Sequence, residues 1–89
     1  MQPSDPITHS ATRFYLRKTN TERLDLLIRY SAKDAAGDCR GSARACALNL
    51  IKACEMAEER APYQSAELHE AAITASLART LRRRIWANG

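Results

Sequence analysis

The sequence predicts an all-α protein, a compact antiparallel bundle of three long helices with room for a fourth, short helix at the N-terminus. Apolar residues make up 45% of the chain and aromatic residues only 6%, and many of the apolar ones are alanine, the best helix former. Residues that favour strands are scarce after residue 30. Apolar residues also recur at intervals of three and four in segments separated by short connections, as in helices that fold back on one another.

The length of the chain fits one domain. Its 89 residues, 27% of them charged, are typical of a single globular unit with a modest core. We therefore expect one helical domain over residues 6–89, preceded by a frayed start at residues 1–5.

A first helix is predicted over residues 6–18. Asp5 would be its N-cap, and Pro6 would occupy the first helical position, where a missing N–H costs nothing. The helical pattern in this segment is short, so three helices and four helices both stay open.

A second helix is predicted over residues 20–36. Thr19 and Glu22 have the spacing of a capping box, in which each side chain accepts a hydrogen bond from the other residue's amide. Gly37 would end the helix by adopting the left-handed conformation after the last turn. The spacing predicts a buried face of Leu24, Leu27, Ile28, Ser31 and Ala35, with Leu26 and Tyr30 beside it.

A third helix is predicted over residues 42–60, with Ser42 as its N-cap and Pro62 as its stop. Apolar residues lie on more than one side of it, which places it at the centre of the fold. Its main apolar stripe consists of Ala43, Cys46, Ala47, Leu50, Ala53, Cys54 and Ala57.

The last helix is predicted over residues 66–86, with Ser65 as its N-cap and Glu67 in its first turn. Apolar residues at intervals of four predict the row that packs on the other helices. That row is Ile73, Leu77, Leu81 and Ile85.

The other side of the last helix carries Arg79, Arg82, Arg83 and Trp86, which we call the Arg–Trp stripe. Arginine and tryptophan are enriched at binding hot spots, so these four residues are the leading candidates for partner binding. The alternative is a solvated helix end, because arginine interacts favourably with the negative end of the helix dipole and the tryptophan can fold back onto a neighbouring helix.

A second basic patch consists of Arg13, Arg17 and Lys18, with Phe14 and Tyr15 interleaved. The chain has 14 basic and 10 acidic residues and a net charge of +4. Positive charge beside planar side chains is an ingredient of nucleic-acid sites, but it also attracts acidic protein surfaces.

Acidic residues cluster on the third helix at Glu55, Glu58 and Glu59. The cluster is interpreted as a solvated face, with a docking patch for a basic partner as the alternative. Glu55 and Glu59 repel one another by a few tenths of a kcal/mol at this spacing.

Catalysis, metal binding and cofactor binding are not expected. No G-x-S-x-G, H-E-x-x-H, Walker-type or G-x-G-x-x-G string occurs, and His9 and His69 lie in no recognisable catalytic context. The three cysteines are too far apart for a closed zinc site and too few for a disulfide framework. Cys46 and Cys54 are interpreted as small core residues.

A cytoplasmic location is expected, with no leader segment and no membrane partner, because the thiols suit a reducing compartment and no long apolar run occurs. The sequence therefore favours a small non-enzymatic binding protein, a regulator or inhibitor that docks on a larger protein or nucleoprotein partner with an acidic surface. The alternative is a DNA- or RNA-binding regulator that uses the basic last helix. A third hypothesis is an assembly subunit held to a second copy by Ala-rich faces.

Overall fold

The computed structural model describes residues 7–88, which form four α-helices and no strand. The predicted all-α fold is confirmed, and the short fourth helix is present. The expected frayed start at residues 1–5 and the expected cap at Asp5 lie outside the described residues. The helices are α1 (His9–Leu16), α2 (Asn20–Ala35), α3 (Gly41–Arg60) and α4 (Ala66–Asn88).

The first helix is shorter at both ends than the predicted range 6–18. It begins at His9 because Thr8 is its N-cap, with extended backbone and a side chain that accepts a hydrogen bond from the amide of Ala11. It ends at Leu16 because Thr19, the N-cap of α2, has an extended backbone. Only Arg17 and Lys18 are left to form the turn between the two helices.

The caps of α2 are as predicted. The Thr19 hydroxyl accepts from the amide of Glu22 at 3.1 Å, and the Glu22 carboxylate accepts from the amide of Thr19 at 2.8 Å. Gly37 has a φ of +77°. Its amide donates to the carbonyl of Asp34, and the next amide donates to the carbonyl of Lys33, which is the Schellman arrangement.

The start of α3 differs from the prediction, because Ser42 is not its cap. The helix begins at Gly41, which has a φ of +54°, and Arg40 occupies the N-cap position without a side-chain cap. The carbonyl of Arg40 accepts from the amides of Ala43 and Arg44 instead. Glycine adopts this left-handed conformation without strain. Backbone hydrogen bonds then close the first turn of the helix without a serine side chain as its cap.

The start of α4 is as predicted, and its end lies two residues later than expected. The Ser65 hydroxyl accepts from the amide of Leu68 at 3.0 Å. The helix continues to Asn88, since no glycine or proline interrupts the chain before Gly89.

The helices form an antiparallel bundle with α3 at its centre, as predicted. α3 contacts all three other helices, and α2 also contacts α4. Arg79 and Arg82 of α4 pair with Glu58 and Glu55 of α3, so these two helices run in opposite directions. The start of α2 shares a groove with the start of α4, and Asp34 near the end of α2 pairs with the late residue Arg84 in α4, so α2 and α4 are parallel.

The core lies around the middle of α3. Its largest fully buried side chains are Leu27, Leu48, Leu50, Ile51, Cys54 and Leu81. Cys54 is thus the small core residue that the sequence predicts, and Cys46 packs partly buried against the same cluster.

Two predicted buried faces are wrong in part. Ile28 of α2 is 54% exposed, and Ile73 of α4 is 51% exposed. α4 instead turns Ala71, Ala75 and Ala78 inward, because alanines let two helices approach closely. In α2, Ala35 is also exposed, and the buried residues are Arg23 and Leu27.

Candidate functional site

The Arg–Trp stripe is partly neutralised by the acidic residues of α3. Arg79 Nη1 lies 3.1 Å from Glu58 Oε1, and Arg82 Nη2 bonds Glu55 Oε1. The two acids are three residues apart on α3, as are the two arginines on α4, so the antiparallel packing brings both pairs into register. Most of the predicted acidic cluster is therefore engaged with α4, and Glu59 alone of its members remains exposed without an ion pair among the described residues.

The rest of the stripe remains accessible. Arg83 is exposed, and its one hydrogen bond within residues 7–88 goes to the Thr80 hydroxyl, at 3.4 Å. Trp86 is 47% exposed, and the guanidinium of Arg44 lies 4.5 Å from its ring centroid. A cation over an indole ring in this way is favourable at an exposed site by about 0.5–1 kcal/mol. The ring of Trp86 thus contacts α3, while about half of the side chain remains exposed to solvent.

The second basic patch becomes part of a larger site, which we call the α1–α3 basic groove. Arg13 of α1 and Arg17, the C-cap residue of α1, face Arg60 at the end of α3 across a groove of about 350 Å³. His9 also lines it, while Leu16 and Met56 supply apolar surface. Lys18 is not among the lining residues; its ammonium group stands 4.9 Å from the ring centroid of Phe14.

The groove differs from the stripe in how its charge is compensated. Within residues 7–88, no carboxylate lies within ion-pair distance of Arg13, Arg17 or Arg60. By contrast, Arg79, Arg82 and Arg84 each have an acidic partner supplied by the fold. The groove is therefore the place where several guanidinium groups converge without internal neutralisation.

Buried polar contacts hold α1, and with it the groove, in position. The Asn49 carbonyl oxygen accepts from the amide of Thr8 at 2.7 Å and from the Thr12 hydroxyl at 3.1 Å. Its amide group donates to the carbonyl of Ala45 at 2.8 Å. Asn49 is only 3% exposed, so it fixes the start of α1 on α3 from inside the protein.

The other end of α1 is held by Arg23, which is 5% exposed. Its guanidinium donates to the backbone carbonyls of Tyr15, Leu16 and Lys18 at and just after the end of the helix, where carbonyl groups run out of helical donors. The Tyr15 carbonyl also accepts from the amide of Lys18. Its other terminal nitrogen donates to the side chain of Asn20. The roles of Arg23 and Asn49 were not predicted from the sequence. The pattern that could have indicated them is a polar residue at a helix position whose spacing from the apolar residues places it on the buried face.

Burial makes two of the thiols and one phenol harder to deprotonate. Burial raises the pKa of the Cys54 thiol to about 12, and burial together with the nearby Asp34 raises the pKa of Cys39. Burial also raises the pKa of Tyr15, as does its hydrogen bond with Tyr30. These groups stay protonated near neutral pH, and nucleophilic catalysis needs the deprotonated form.

The described part of the chain contains neither a metal-ion cluster nor a membrane-spanning helix. In that part, no three His, Cys, Asp or Glu side chains come close enough together to hold a metal ion. None of the helices in residues 7–88 combines the length and the hydropathy needed to cross a membrane.

Comparison with known proteins gives no family for this chain. No protein-family model matches the sequence, and no match is found among curated proteins or among solved structures.

Proposed function

We propose that the chain is a small non-enzymatic binding protein, a regulator or inhibitor that docks on a larger protein or nucleoprotein with an acidic surface. The observation that carries this proposal is the convergence of Arg13, Arg17 and Arg60 on the α1–α3 basic groove without an acidic partner within residues 7–88. The fold pairs Arg79, Arg82 and Arg84 with acids, whereas the charge of the three groove arginines is available to a partner.

The chemistry of the groove suits carboxylate side chains. A guanidinium group is planar and binds a carboxylate through two parallel hydrogen bonds. Leu16 and Met56 line the groove beside the arginines, so the methylene groups of an aspartate or glutamate would lie against apolar surface. Arg13 lies on α1 and Arg17 caps its end, and buried contacts fix both ends of this helix on the bundle, which lowers the entropy lost when a partner binds.

The accessible part of the Arg–Trp stripe is a second contact surface in this proposal. Arg83 and Trp86 remain candidates for partner binding, since both are exposed. Arg79 and Arg82 would have to leave Glu58 and Glu55 to bind a partner directly, so their proposed part is smaller.

Nucleic-acid binding is the second candidate function. It is favoured by Phe14, which is 56% exposed on the same short helix as Arg13, a helix that Arg17 caps at its C-terminus. Guanidinium groups that neutralise phosphates beside an aromatic ring that stacks on a base are the usual elements of a single-strand site. This alternative requires binding that weakens steeply with salt, because each neutralised phosphate releases counterions.

Affinity capture from the source cell tests the proposal with two matched triple variants. Arg13→Gln/Arg17→Gln/Arg60→Gln removes three positive charges from the groove, and Arg79→Gln/Arg82→Gln/Arg83→Gln removes three from the stripe. The groove variant should lose the partner, and the stripe variant should retain it. Equal retention by both would contradict the proposal.

Nuclease treatment separates the two candidate functions in the same experiment. A partner that is retained after nuclease is a protein, as proposed. Capture that disappears after nuclease, together with a steep salt dependence, would replace the protein partner by nucleic acid.

A further inference from the structure

The outer side of α4 carries large apolar residues that the bundle does not bury. The inner side of this helix consists largely of small residues, with Ala71, Ala75 and Ala78 almost fully buried. Ile73 on the outer side is 51% exposed, and Leu77 is half-buried. These two residues extend the row of the buried Leu81 and Ile85 onto the surface, and Leu77 packs with part of its surface on the core, so the exposed end of this row is left to be covered.

The outer side of α2 continues this apolar surface. Ile28 is 54% exposed and Leu24 is half-buried. Tyr30, which interacts with Tyr15 of α1 and Cys46 of α3, lies on the opposite side of α2 at helical spacing, so Ile28 faces the α4 side.

On α4, the residues Ile73 and Leu77 share the side of Arg84, which pairs with Asp34 of α2. The two exposed isoleucines and the two half-buried leucines therefore flank the line along which α2 and α4 meet. We call this surface the α2–α4 outer face, with Leu24, Ile28, Ile73 and Leu77 at its centre.

Charge is distributed unequally along the α2–α4 outer face. Because α2 and α4 are parallel, their first turns lie at the same end, where Asp25 and Glu70 are exposed. Arg84 is half exposed at the other end; its Nε pairs with Asp34, and among the described residues no carboxylate pairs with its terminal nitrogens. Leu77 lies midway between Glu70 and Arg84, so a two-fold axis near Leu77 would bring the acidic end of one copy against the basic end of another. The face is thus complementary to itself.

The area of the face is sufficient for a reversible dimer. The 16 residues of α2 rise about 24 Å, and a pair of packed helices is about 20 Å wide, so each copy would bury roughly 500 Å². The total of about 1,000 Å² is near the lower end for specific interfaces.

We propose that the α2–α4 outer face is the interface of a symmetric homodimer, in which α4 of one copy lies antiparallel to α4 of the second copy. The interface differs from the Ala-rich surfaces that the sequence suggested for assembly, because Ala47, Ala53 and Ala78 are buried inside the bundle. It is also separate from the α1–α3 basic groove, so the dimer does not depend on the proposed function.

Sedimentation equilibrium tests the proposal at protein concentrations from about 1 µM to about 1 mM. This is the range in which a dimer with an interface of this size becomes populated. The full chain should pass from monomer to dimer with rising concentration. Ile28→Lys and Ile73→Lys should each remain monomeric with an unchanged circular dichroism spectrum, since both side chains are half exposed already. Phe14→Lys, the same kind of change at an exposed aromatic residue of α1, should leave the dimer intact.

Charge reversal tests the two-fold arrangement. Glu70→Lys places like charges opposite each other twice in the dimer and should raise the dissociation constant by about tenfold. Glu59→Lys makes the same change at an exposed residue of α3, which does not belong to the α2–α4 outer face, and should have little effect. The proposal is overturned if the full chain stays monomeric throughout, or if Ile28→Lys and Ile73→Lys both dimerise like the unchanged protein.

Discussion

Arg23 shows how one side chain can determine the position of a helix. Its guanidinium group satisfies backbone carbonyls at the end of α1, and no carboxylate among the described residues pairs with it. Burial lowers the pKa of this guanidinium, yet arginine keeps its proton at any ordinary pH. The residue therefore acts as a buried cationic cap, a role that composition and periodicity do not predict.

Replacing Arg23 by alanine should destabilise the protein by about 2–3 kcal/mol, because buried carbonyl groups lose a charged donor. Arg29→Ala, at an exposed position of the same helix, should change the free energy of unfolding by less than about 0.5 kcal/mol. Urea denaturation measures both values. Equal effects of the two substitutions would show that Arg23 is not a cap.

Glu22 gives the stability of the protein a component that depends on pH. Its hydrogen bonds with Thr19 lower the pKa of the carboxyl group from its ordinary value of 4.5. A carboxyl whose pKa is lower in the folded state stabilises the fold above its unfolded pKa and loses this contribution as pH falls through the folded value.

The free energy of unfolding should therefore decrease as pH falls below 4.5, and part of this decrease should be absent in Glu22→Gln. Glutamine keeps the capping geometry but has no titrating proton. Urea denaturation at pH values between neutrality and about 3 gives the comparison, with 3 chosen as a pH below the ordinary carboxyl range. Identical pH profiles for the two proteins would contradict this role of Glu22.

At the scale of the helices, ion pairs help to set the register between α3 and α4. Arg82 and Glu55 are partly buried, with side chains 32% and 19% exposed, and the Arg79–Glu58 pair lies one turn away. Such pairs contribute modestly to stability, yet like charges at the same positions repel.

Glu55→Arg and Arg82→Glu should each destabilise the protein, and the double variant should recover part of the loss. We expect a coupling energy of about 0.5–1 kcal/mol from the double-mutant cycle, measured by thermal or urea denaturation. If the effects of the two single substitutions simply add, the pair does not contribute to the packing of α4 on α3.

The helices themselves were largely predictable because their ends have local causes. The Thr19 capping box, the Gly37 C-terminal turn and the Ser65 cap each depend on a few neighbouring residues, and all three are present. The central position of α3 was also predictable, since apolar residues surround it.

The orientation of the helices was less predictable. α4 has apolar residues on two sides, and periodicity does not say which side faces the core, so the prediction placed Ile73 inside. The choice depends on α3, against which the small alanines of α4 pack more closely than isoleucine would.

The candidate site was predictable only in part, for a similar reason. Arg13 and Arg17 stood out as a basic cluster, but Arg60 lies far away in sequence and joins them only because Asn49 fixes α1 on α3. The pairing of Arg79 and Arg82 with acids of α3 likewise depends on helix packing.

At the scale of the whole molecule, positive charge and apolar surface occupy different places. The structure measures 36 × 27 × 19 Å, with α3 between α1 and the α2–α4 pair. The basic groove lies on the α1 side, and the proposed dimer face lies on the outside of α2 and α4. A dimer of this kind would present two basic grooves, and a partner with repeated acidic segments would then bind with increased avidity.

The central claim is that the α1–α3 basic groove is the docking site for an acidic partner. Isothermal titration of the captured partner against the unchanged protein and the two triple variants tests it most directly. The Arg13→Gln/Arg17→Gln/Arg60→Gln variant should bind about 100-fold more weakly, the loss expected when charged contacts worth about 3 kcal/mol are removed. Arg79→Gln/Arg82→Gln/Arg83→Gln should bind within about fivefold of the unchanged protein, as expected for charges at a rim. The reverse order of affinities would contradict the claim and would place the docking site on α4.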